Sequence, residues 1–368
     1  MGIRIRPRAP CWACFFNGSS TIARVPWHQT VRYLSLTSSC RSRQRIEIPP
    51  PFPVTQTCPE PTCACAPTPP MPEGLPIDHE HPLNGTMAAY AQQLIIATGR
   101  PDWTSRIEED GQGEGWGELA RGLKKLLGRG GKYADPYNNI LVTNSSFPSS
   151  PSSSSSSTTS AFLFPSFKYF RSIPTNLPSE TLDVASPTSL TTFVRAFLLP
   201  KTLHSMHGSM PSPQREQLTR SPDLASHFPA TSLVHSPTIL ICGHGGRDMR
   251  CGVLGPVLQA EFQRVLHTKG YPSTELDGNK VDGPGHANVG LISHIGGHKY
   301  AGNVIIYIPP GLKVEGGEVS PLAGKGIWYG RIEPKHVEGI VDETLLKGRV
   351  VKDHFRGAIG HDGEVLRL

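Results

Sequence analysis

Two pairs of metal-binding side chains in the last third of the chain place the strongest constraint on its fold. Cys242 and Cys251 form a Cys-x8-Cys pair, and His294 and His298 form a His-x3-His pair farther along. Two thiolates and two imidazoles can complete a tetrahedral zinc site, or each pair can hold one iron of a 2Fe-2S cluster. The fold must therefore bring two separate segments together, and the identity of the metal decides the function.

The residues around these pairs favour a metal site over isolated core cysteines and loop histidines, because each pair lies in a glycine-rich segment after an apolar run of strand length. A metalloprotease helix would need His-Glu-x-x-His, but Ile295 follows His294. A Rieske centre would need a Cys-x-x-His pair, which is missing after Cys251, and an acyl-transfer site would need a Gly-x-Ser-x-Gly elbow, which is absent. His244 is predicted to support the ligands or face a partner rather than bind metal.

Positive charge is concentrated at the start of the chain. The formal net charge is +6, yet residues 1–46 carry eight Arg and no Lys or acid, so the remainder has 28 basic against 30 acidic residues. An Arg-rich, acid-free segment with scattered apolar residues is typical of a mitochondrial transit peptide, with a disordered basic tail as the alternative. This predicts a mitochondrial protein, with the matrix favoured over the intermembrane space, and argues against a nucleic-acid partner.

No run of residues approaches the ~18 apolar residues of a membrane-spanning helix, so no transmembrane segment is expected. The eight cysteines are too few for a disulfide scaffold in a chain of 368 residues. Cys58, Cys63 and Cys65 lie close together in a Pro-rich segment, where they could bind metal or form a disulfide, but no fourth ligand is evident. Cys11 and Cys14, inside the predicted transit peptide, are interpreted as a chance pair.

Composition predicts two α/β domains with connecting segments. The expected divisions are the transit peptide 1–46, an extended Pro-rich segment 47–78, an N-terminal α/β domain 79–200 with a disordered Ser-rich insertion 145–160, a connection 201–235, a second domain 236–350 and a C-terminal tail 351–368. In the first domain, the predicted elements are helices at 84–99, 117–127 and 189–199 and strands at 139–143 and 161–169.

The second domain has a clearer pattern. The predicted elements are strands at 238–242, 289–293, 303–308 and 325–332 and helices at 255–267 and 334–347. This β-α-β-β-β-α order predicts an α/β sandwich with mixed strand directions, in which all four ligands fall on loops.

Three segments, at 240–256, 293–303 and 326–331, together resemble the sucrase/ferredoxin-like family, most strongly over 238–348. The resemblance implies a thioredoxin-like ferredoxin domain at the C-terminus, preceded by a smaller α/β domain for which a thioredoxin-like fold is one option. It also implies a 2Fe-2S cluster with Cys242 and Cys251 on one iron and His294 and His298 on the other. All-cysteine relatives have a Cys-x3-Cys pair where this chain has His-x3-His.

The expected function is mitochondrial electron transfer or redox quality control, with a bis-Cys, bis-His cluster capable of proton-coupled electron transfer. The partner would be a redox protein whose identity the sequence does not reveal, and the chain is expected to be an electron carrier rather than a substrate-converting enzyme. Two alternatives stay open, namely a zinc-stabilised interaction module and a thiol-disulfide oxidoreductase that uses Cys58, Cys63 or Cys65.

Overall fold

The computed structural model describes residues 49–150, 157–175, 189–272 and 285–368. The predicted transit peptide 1–46 lies outside the described residues, as does part of the Ser-rich insertion. Residues 49–368 cluster as one compact unit. Among the described residues, no helix has the length and apolar character needed to cross a membrane.

The described residues form short strands and a few helices. The strands are β1 Val54–Thr55, β2 Gln92–Ala97, β3 Ile140–Ser145, β4 Thr158–Phe164, β5 Lys168–Pro174, β6 Thr231–Leu233, β7 Thr238–Cys242, β8 Asn288–Ile292, β9 Val304–Tyr307, β10 Gly326–Tyr329, β11 Val350–Val351, β12 Phe355–Ile359 and β13 Val365–Leu366. The helices are α1 Gly115–Leu127, α2 Leu190–Phe193, α3 Ser212–Leu218, α4 Met249–Thr268 and α5 Val337–Val341. Both α2 and α5 continue into a π-helical turn, at Val194–Leu198 and Asp342–Leu346.

One mixed sheet carries most of these strands, in the order β13-β12-β10-β9-β7-β8-β3-β2-β4-β5-β6. It contains the same arrangement twice. In the N-terminal half, β2 pairs in parallel with β3 and antiparallel with β4, which pairs antiparallel with β5. In the C-terminal half, β7 pairs in parallel with β8 and antiparallel with β9, which pairs antiparallel with β10.

Each half therefore has the chain order β-α-β-β-β-α, and the halves meet where β3 and β8 pair antiparallel at Ser145 and Ile292. Hydrogen bonds continue the junction beyond the strands. The Asn144 amide donates to Ser293 Oγ at 3.0 Å, and the Ser293 amide donates to the Asn144 carbonyl at 2.9 Å. The junction consequently fixes the chain immediately before His294.

The helix predicted over 84–99 is wrong, because the structure places strand β2 at Gln92–Ala97. All six residues of β2 are buried, and the Gln93 side chain donates to Thr143 Oγ1 at 3.1 Å. A strand at the centre of a sheet is apolar on both faces, so its continuous apolar run has no period of two to distinguish it from a buried helix.

The other elements of the N-terminal half are close to expectation. Helix α1 and strand β3 confirm the predicted helix at 117–127 and strand at 139–143. The segment 161–169 is divided between β4 and β5, which form an antiparallel pair. The serine tract is narrower than predicted, since Ser145 ends β3 and Thr158 begins β4. The helix at 189–199 is confirmed, with Ser189 Oγ accepting a hydrogen bond from the Thr192 amide.

The predicted strands and helices of the C-terminal half are all present, with two differences. Helix α4 begins at Met249 instead of residue 255, because Asp248 caps it by accepting a hydrogen bond from the Arg250 amide at 3.1 Å. The segment 351–368 is not a tail: the fully buried strand β12 pairs antiparallel with β10, and β13 extends the sheet.

The Pro-rich segment is extended, as predicted, and acts as a strap over the C-terminal half. Its strand β1 pairs in parallel with β11. The Thr62 amide and hydroxyl donate to the Glu338 carboxylate on α5, at 2.8 and 2.6 Å. At its far end, the Asp78 amide donates to the Lys299 carbonyl at 2.8 Å, so the strap ends beside the His-x3-His segment.

Candidate metal centre

The four predicted ligands lie at one edge of the sheet. Cys242 ends β7, and its pairing partner Ile292 ends the parallel neighbour β8, so the next residues of both strands emerge side by side. His294 follows β8 in a loop, whereas Cys251 lies in the first turn of α4 and His298 begins a 3-10 turn. The prediction that all four ligands fall on loops therefore holds only for His294.

Contacts join the four side chains into one group. Cys242 and Cys251 each influence the pKa of the other, and His294 also influences that of Cys242, so these three side chains lie near one another. The His294 and His298 ring centroids are 5.4 Å apart. Both thiols are buried and neither forms a disulfide. The fold thus assembles a buried thiol pair next to a partly exposed imidazole pair.

The pKa values of the two thiols are shifted in opposite directions. Hydrogen bonding from the Cys251 thiol lowers the pKa of Cys242 well below its ordinary value, and His294 and the backbone amide of His244 add to this against the effect of burial. The same interaction with Cys242, together with burial, raises the pKa of Cys251. The two sulfurs are therefore electrostatically coupled, and binding of a metal cation to them as thiolates would release protons.

One ring nitrogen of His298 fits a ligand role. Its Nδ1 atom is buried and has no hydrogen-bond partner among the described residues. Its Nε2 atom lies 3.9 Å from Asp248 Oδ2, and burial lowers the pKa of His298 despite that carboxylate. A neutral imidazole with an unused nitrogen is the form that binds a metal.

The donor set is compatible with a bridged cluster. Thiolates and imidazoles are the ligands that iron–sulfur centres and zinc share. Within the described residues, no group of three or more His, Cys, Asp or Glu side chains is arranged to hold a single metal ion. A 2Fe-2S cluster does not need three protein ligands around one metal ion, because each of its irons takes only two.

His244 supports the site. Its Nε2 atom lies 3.1 Å from the Trp103 carbonyl and 2.8 Å from the Thr104 carbonyl, so it carries the proton. Its Nδ1 atom accepts a hydrogen bond from the His294 amide at 3.0 Å. Both ring nitrogens of His244 are thereby occupied by hydrogen bonds, and the prediction that His244 is not a ligand stays a prediction.

The two arginines of the Cys-x8-Cys segment differ in their surroundings. Arg250 donates two hydrogen bonds to the Asp248 carboxylate, each 2.9 Å long, and a third to the Pro76 carbonyl at 3.0 Å. Its charge is therefore balanced locally, and it ties the strap to the start of α4. Arg247 is exposed and donates to Ser105 Oγ at 3.2 Å.

Arg356 is a functional candidate that the sequence reasoning missed, since it lies in the segment interpreted as a tail. Its side chain is buried and donates to Asn303 Oδ1 at 2.6 Å and to the Gly296 carbonyl at 3.2 Å. It also donates to the Thr86 carbonyl and hydroxyl, at 2.8 and 3.0 Å. The only sequence signal was a charged residue inside an otherwise apolar strand.

Arg356 lies directly beneath the His-x3-His segment. Gly297 adopts a φ of 75°, and a Cβ atom there would be 2.4 Å from Arg356 Nη2, so only glycine fits. Burial lowers the pKa of Arg356 to about 10, whereas the thiols of Cys242 and Cys251 act in the opposite direction. The guanidinium is therefore a buried positive charge whose field reaches both sulfurs.

Comparison with known proteins identifies the family to which the chain belongs. The profile of the sucrase/ferredoxin-like family matches residues 83–357, and the chain belongs to that family. It is similar to the altered inheritance of mitochondria protein 32 of Meyerozyma guilliermondii, with 30% identity over 82% of this chain and 94% of the relative.

Two further relatives bear the same name. The Debaryomyces hansenii protein is 29% identical over 83% of this chain and 96% of its own length, and the Clavispora lusitaniae protein is 42% identical over 34% of this chain and 36% of its own length. No solved structure matches the chain.

Proposed function

We propose that the chain is an electron-transfer protein of mitochondrial redox metabolism that holds a 2Fe-2S cluster. Cys242 and Cys251 would bind one iron, and His294 and His298 would bind the other. The observation that carries the proposal is the buried thiol pair and the imidazole pair at the same edge of the sheet. Such a cluster, when bound, takes up and releases single electrons.

The two pairs have different roles in this proposal. The buried thiols provide the negative charge and the stable attachment. The His298 side chain is 43% exposed, which makes the imidazole side the route for electrons to and from a partner. Each histidine that binds through one ring nitrogen keeps the other, which can hold a proton.

Neutral imidazoles add less negative charge than thiolates, so the reduction potential is expected above that of plant-type ferredoxins. Rieske centres show this direction, at roughly −150 to +300 mV against about −400 mV. A proton on the second nitrogen of His294 or His298 is held more tightly after reduction. Raising the pH through the oxidised-state pKa should consequently lower the potential.

Fold and location form part of the proposal. The strand orders β3-β2-β4-β5 and β8-β7-β9-β10, each with only one parallel pair, support a thioredoxin-like arrangement in both halves. The names of the relatives and the Arg-rich residues 1–46 support a mitochondrial location, with the matrix favoured over the intermembrane space.

Metal and sulfide analysis of anaerobically purified protein tests the proposal. We expect a reddish protein with about two irons and two acid-labile sulfides per chain, the content of a 2Fe-2S cluster. One zinc without sulfide would instead establish the zinc-stabilised module. A redox titration from roughly pH 6 to 10 tests proton coupling, and a potential that stays constant in protein with both histidines bound would contradict it.

The thiol-disulfide alternative has less support in the described strap. Burial raises the pKa of Cys58 to about 12, with nearby Glu60 adding to the effect, so this thiol is protonated and a poor nucleophile. Cys63 is exposed, and its sulfur lies 3.4 Å from Glu338 Oε2. Thiol trapping under oxidising and reducing conditions would detect a disulfide that cycles in this segment.

A further inference from the structure

An open cavity of about 430 Å³ is lined by none of the four candidate metal ligands. Its wall is formed by the start of β2, the turn between β4 and β5, residues 200–202, Arg220 and the turn between β12 and β13. This volume lies within the range of pockets that bind small molecules.

Arg220 presents free hydrogen-bond donors in the wall of this cavity. Its side chain is half-buried, and its Nε atom donates to the Leu199 carbonyl at 2.7 Å. Its two terminal nitrogens have no hydrogen-bond partner among the described residues, and neither is sealed from solvent. The guanidinium can therefore offer a planar pair of N–H groups to a ligand in the cavity.

Two lysines add positive charge beside Arg220. Lys201 is exposed and lines the cavity. Lys168 lies two residues after the lining residue Ser166, with its ammonium 5.1 Å from the centre of the Phe197 ring. Burial lowers the pKa of Lys168, and the positive charges of Arg220 and Lys201 add to the effect. Lys168 is therefore close enough to both neighbours to be repelled by them.

These cations lack counter-charges. In the described part of the chain, none of Arg220, Lys201 and Lys168 forms an ion pair with a carboxylate. Asp362 also lines the cavity, but it is exposed and pairs with none of them. Three cations against one carboxylate leave two positive charges uncompensated, so a dianion balances the site better than a monoanion.

We propose that this cavity binds a soluble small molecule that carries a phosphate monoester, whose oxygens accept hydrogen bonds from the terminal nitrogens of Arg220 and pair with Lys201. Such a group carries nearly two negative charges at neutral pH, and its oxygens match the guanidinium donors. The cavity is larger than a phosphate group, which leaves room for an organic part. The candidate metal ligands take no part, so the proposal stands or fails independently of the cluster.

Phenyl phosphate and phenyl sulfate are suitable probes, because they share a shape but differ by one negative charge at about pH 8. Binding to the full-length protein is measured by ligand-observed NMR titration at low ionic strength. We expect phenyl phosphate to bind about tenfold more tightly, since its second charge meets the uncompensated cations. Equal affinities, or no binding of phenyl phosphate, would refute the proposal. Sedimentation with vesicles that contain phosphatidic acid, without binding of phenyl phosphate, would assign the cations to a membrane surface and also refute it.

Three variants locate the binding. Arg220→Gln should weaken phenyl phosphate binding at least about tenfold, because the charged pair of donors is lost. Lys201→Glu changes an exposed side chain, so the fold is retained while the reversed charge weakens binding to a similar extent. Lys352→Gln, an exposed position before β12 and at the other end of that strand from the cavity, should leave the affinity unchanged. Binding that survives both Arg220→Gln and Lys201→Glu would place the molecule elsewhere and overturn the assignment.

Discussion

The two halves of the sheet share one topology but differ in the chemistry at the ends of their first strands. In the C-terminal half, β7 ends at Cys242 and the segment after β8 carries both histidines. In the N-terminal half, β2 ends at Ala97, and the whole chain between Cys65 and Cys242 contains no cysteine. The same architecture therefore carries candidate metal ligands in the C-terminal half and none in the N-terminal half.

The loop after β2 instead contacts and supports the segment that carries His244. The Asp102 carboxylate accepts a hydrogen bond from the Gly246 amide, at 3.1 Å to its nearer oxygen. The carbonyls of Trp103 and Thr104 face His244, whose other nitrogen fixes the His294 amide. The N-terminal half therefore covers and orients the candidate metal centre of the C-terminal half.

The largest effect is expected when a thiol is removed from the C-terminal half, which tests whether that half carries the metal ligands. Cys242→Ser or Cys251→Ser should lower iron and sulfide content at least about tenfold, because each substitution removes a soft ligand from a site that needs it. Metal analysis and the visible spectrum measure the change.

The matched control is Cys63→Ser, which replaces an exposed thiol on the strap and should retain the metal. Equal metal loss in all three variants would contradict the assignment of the ligands to the C-terminal half.

A smaller effect is expected when the support beneath the His-x3-His segment is removed. Arg356→Met should lower the free energy of unfolding by about 3 kcal/mol, because the acceptors at Gly296, Asn303 and Thr86 lose their donor. Denaturant unfolding measures the loss.

Arg356→Lys separates charge from shape, since it keeps the positive charge but not the planar set of donors. If geometry dominates, the lysine variant will lose nearly as much stability as the methionine variant. The exposed Arg367→Met serves as the control, and a loss there equal to that of Arg356→Met would contradict a specific role for the buried guanidinium.

The contact between the halves is tested by His244→Ala. We expect a loss of about 2 kcal/mol in unfolding free energy, since the His294 amide and two carbonyls lose their partner, while the metal content should be largely retained. His267→Ala, at an exposed position of α4, is the control. Metal loss as complete as in the cysteine variants would make His244 a ligand after all.

The sequence predicted the C-terminal half better than the N-terminal half for a physical reason. Its strands are separated by glycine-rich turns, and α5 has a clear apolar stripe, so each element has local boundaries. Strand β2 has no such boundary, and its burial on both faces comes from pairing with β3 and β4, which are distant in sequence. Tertiary pairing of this kind is not encoded locally.

The candidate ligands were evident from spacing, but their support was not. Arg356 and Asn303 are far apart in the chain and meet only because β12 joins the sheet beside β10. The tautomer of His244 likewise depends on carbonyls from the N-terminal half. Sequence spacing reveals residues that share a motif. The residues that support those side chains can be identified only once the fold is known.

The smallest expected effect concerns the hydrogen bonds at the start of the last helix of each half. In the N-terminal half, Ser189 accepts the hydrogen bond from the Thr192 amide, and a hydroxyl does not titrate. In the C-terminal half, His336 Nδ1 accepts a hydrogen bond from the Glu333 amide at 3.1 Å, which requires a neutral ring. Burial lowers the pKa of His336 to about 4, with His354 adding to the effect and Glu333 opposing it.

The unfolded chain therefore binds more protons than the folded chain between about pH 6.5 and pH 4, and stability should fall as the pH decreases through that window. Because the ring is only half-buried, we expect about 1 kcal/mol from this group between pH 7 and pH 5 after allowance for solvent screening. Urea unfolding of wild type and His336→Asn at both pH values measures it. The wild type should lose more stability than the variant on acidification, and parallel losses would show that the two halves do not differ in this respect.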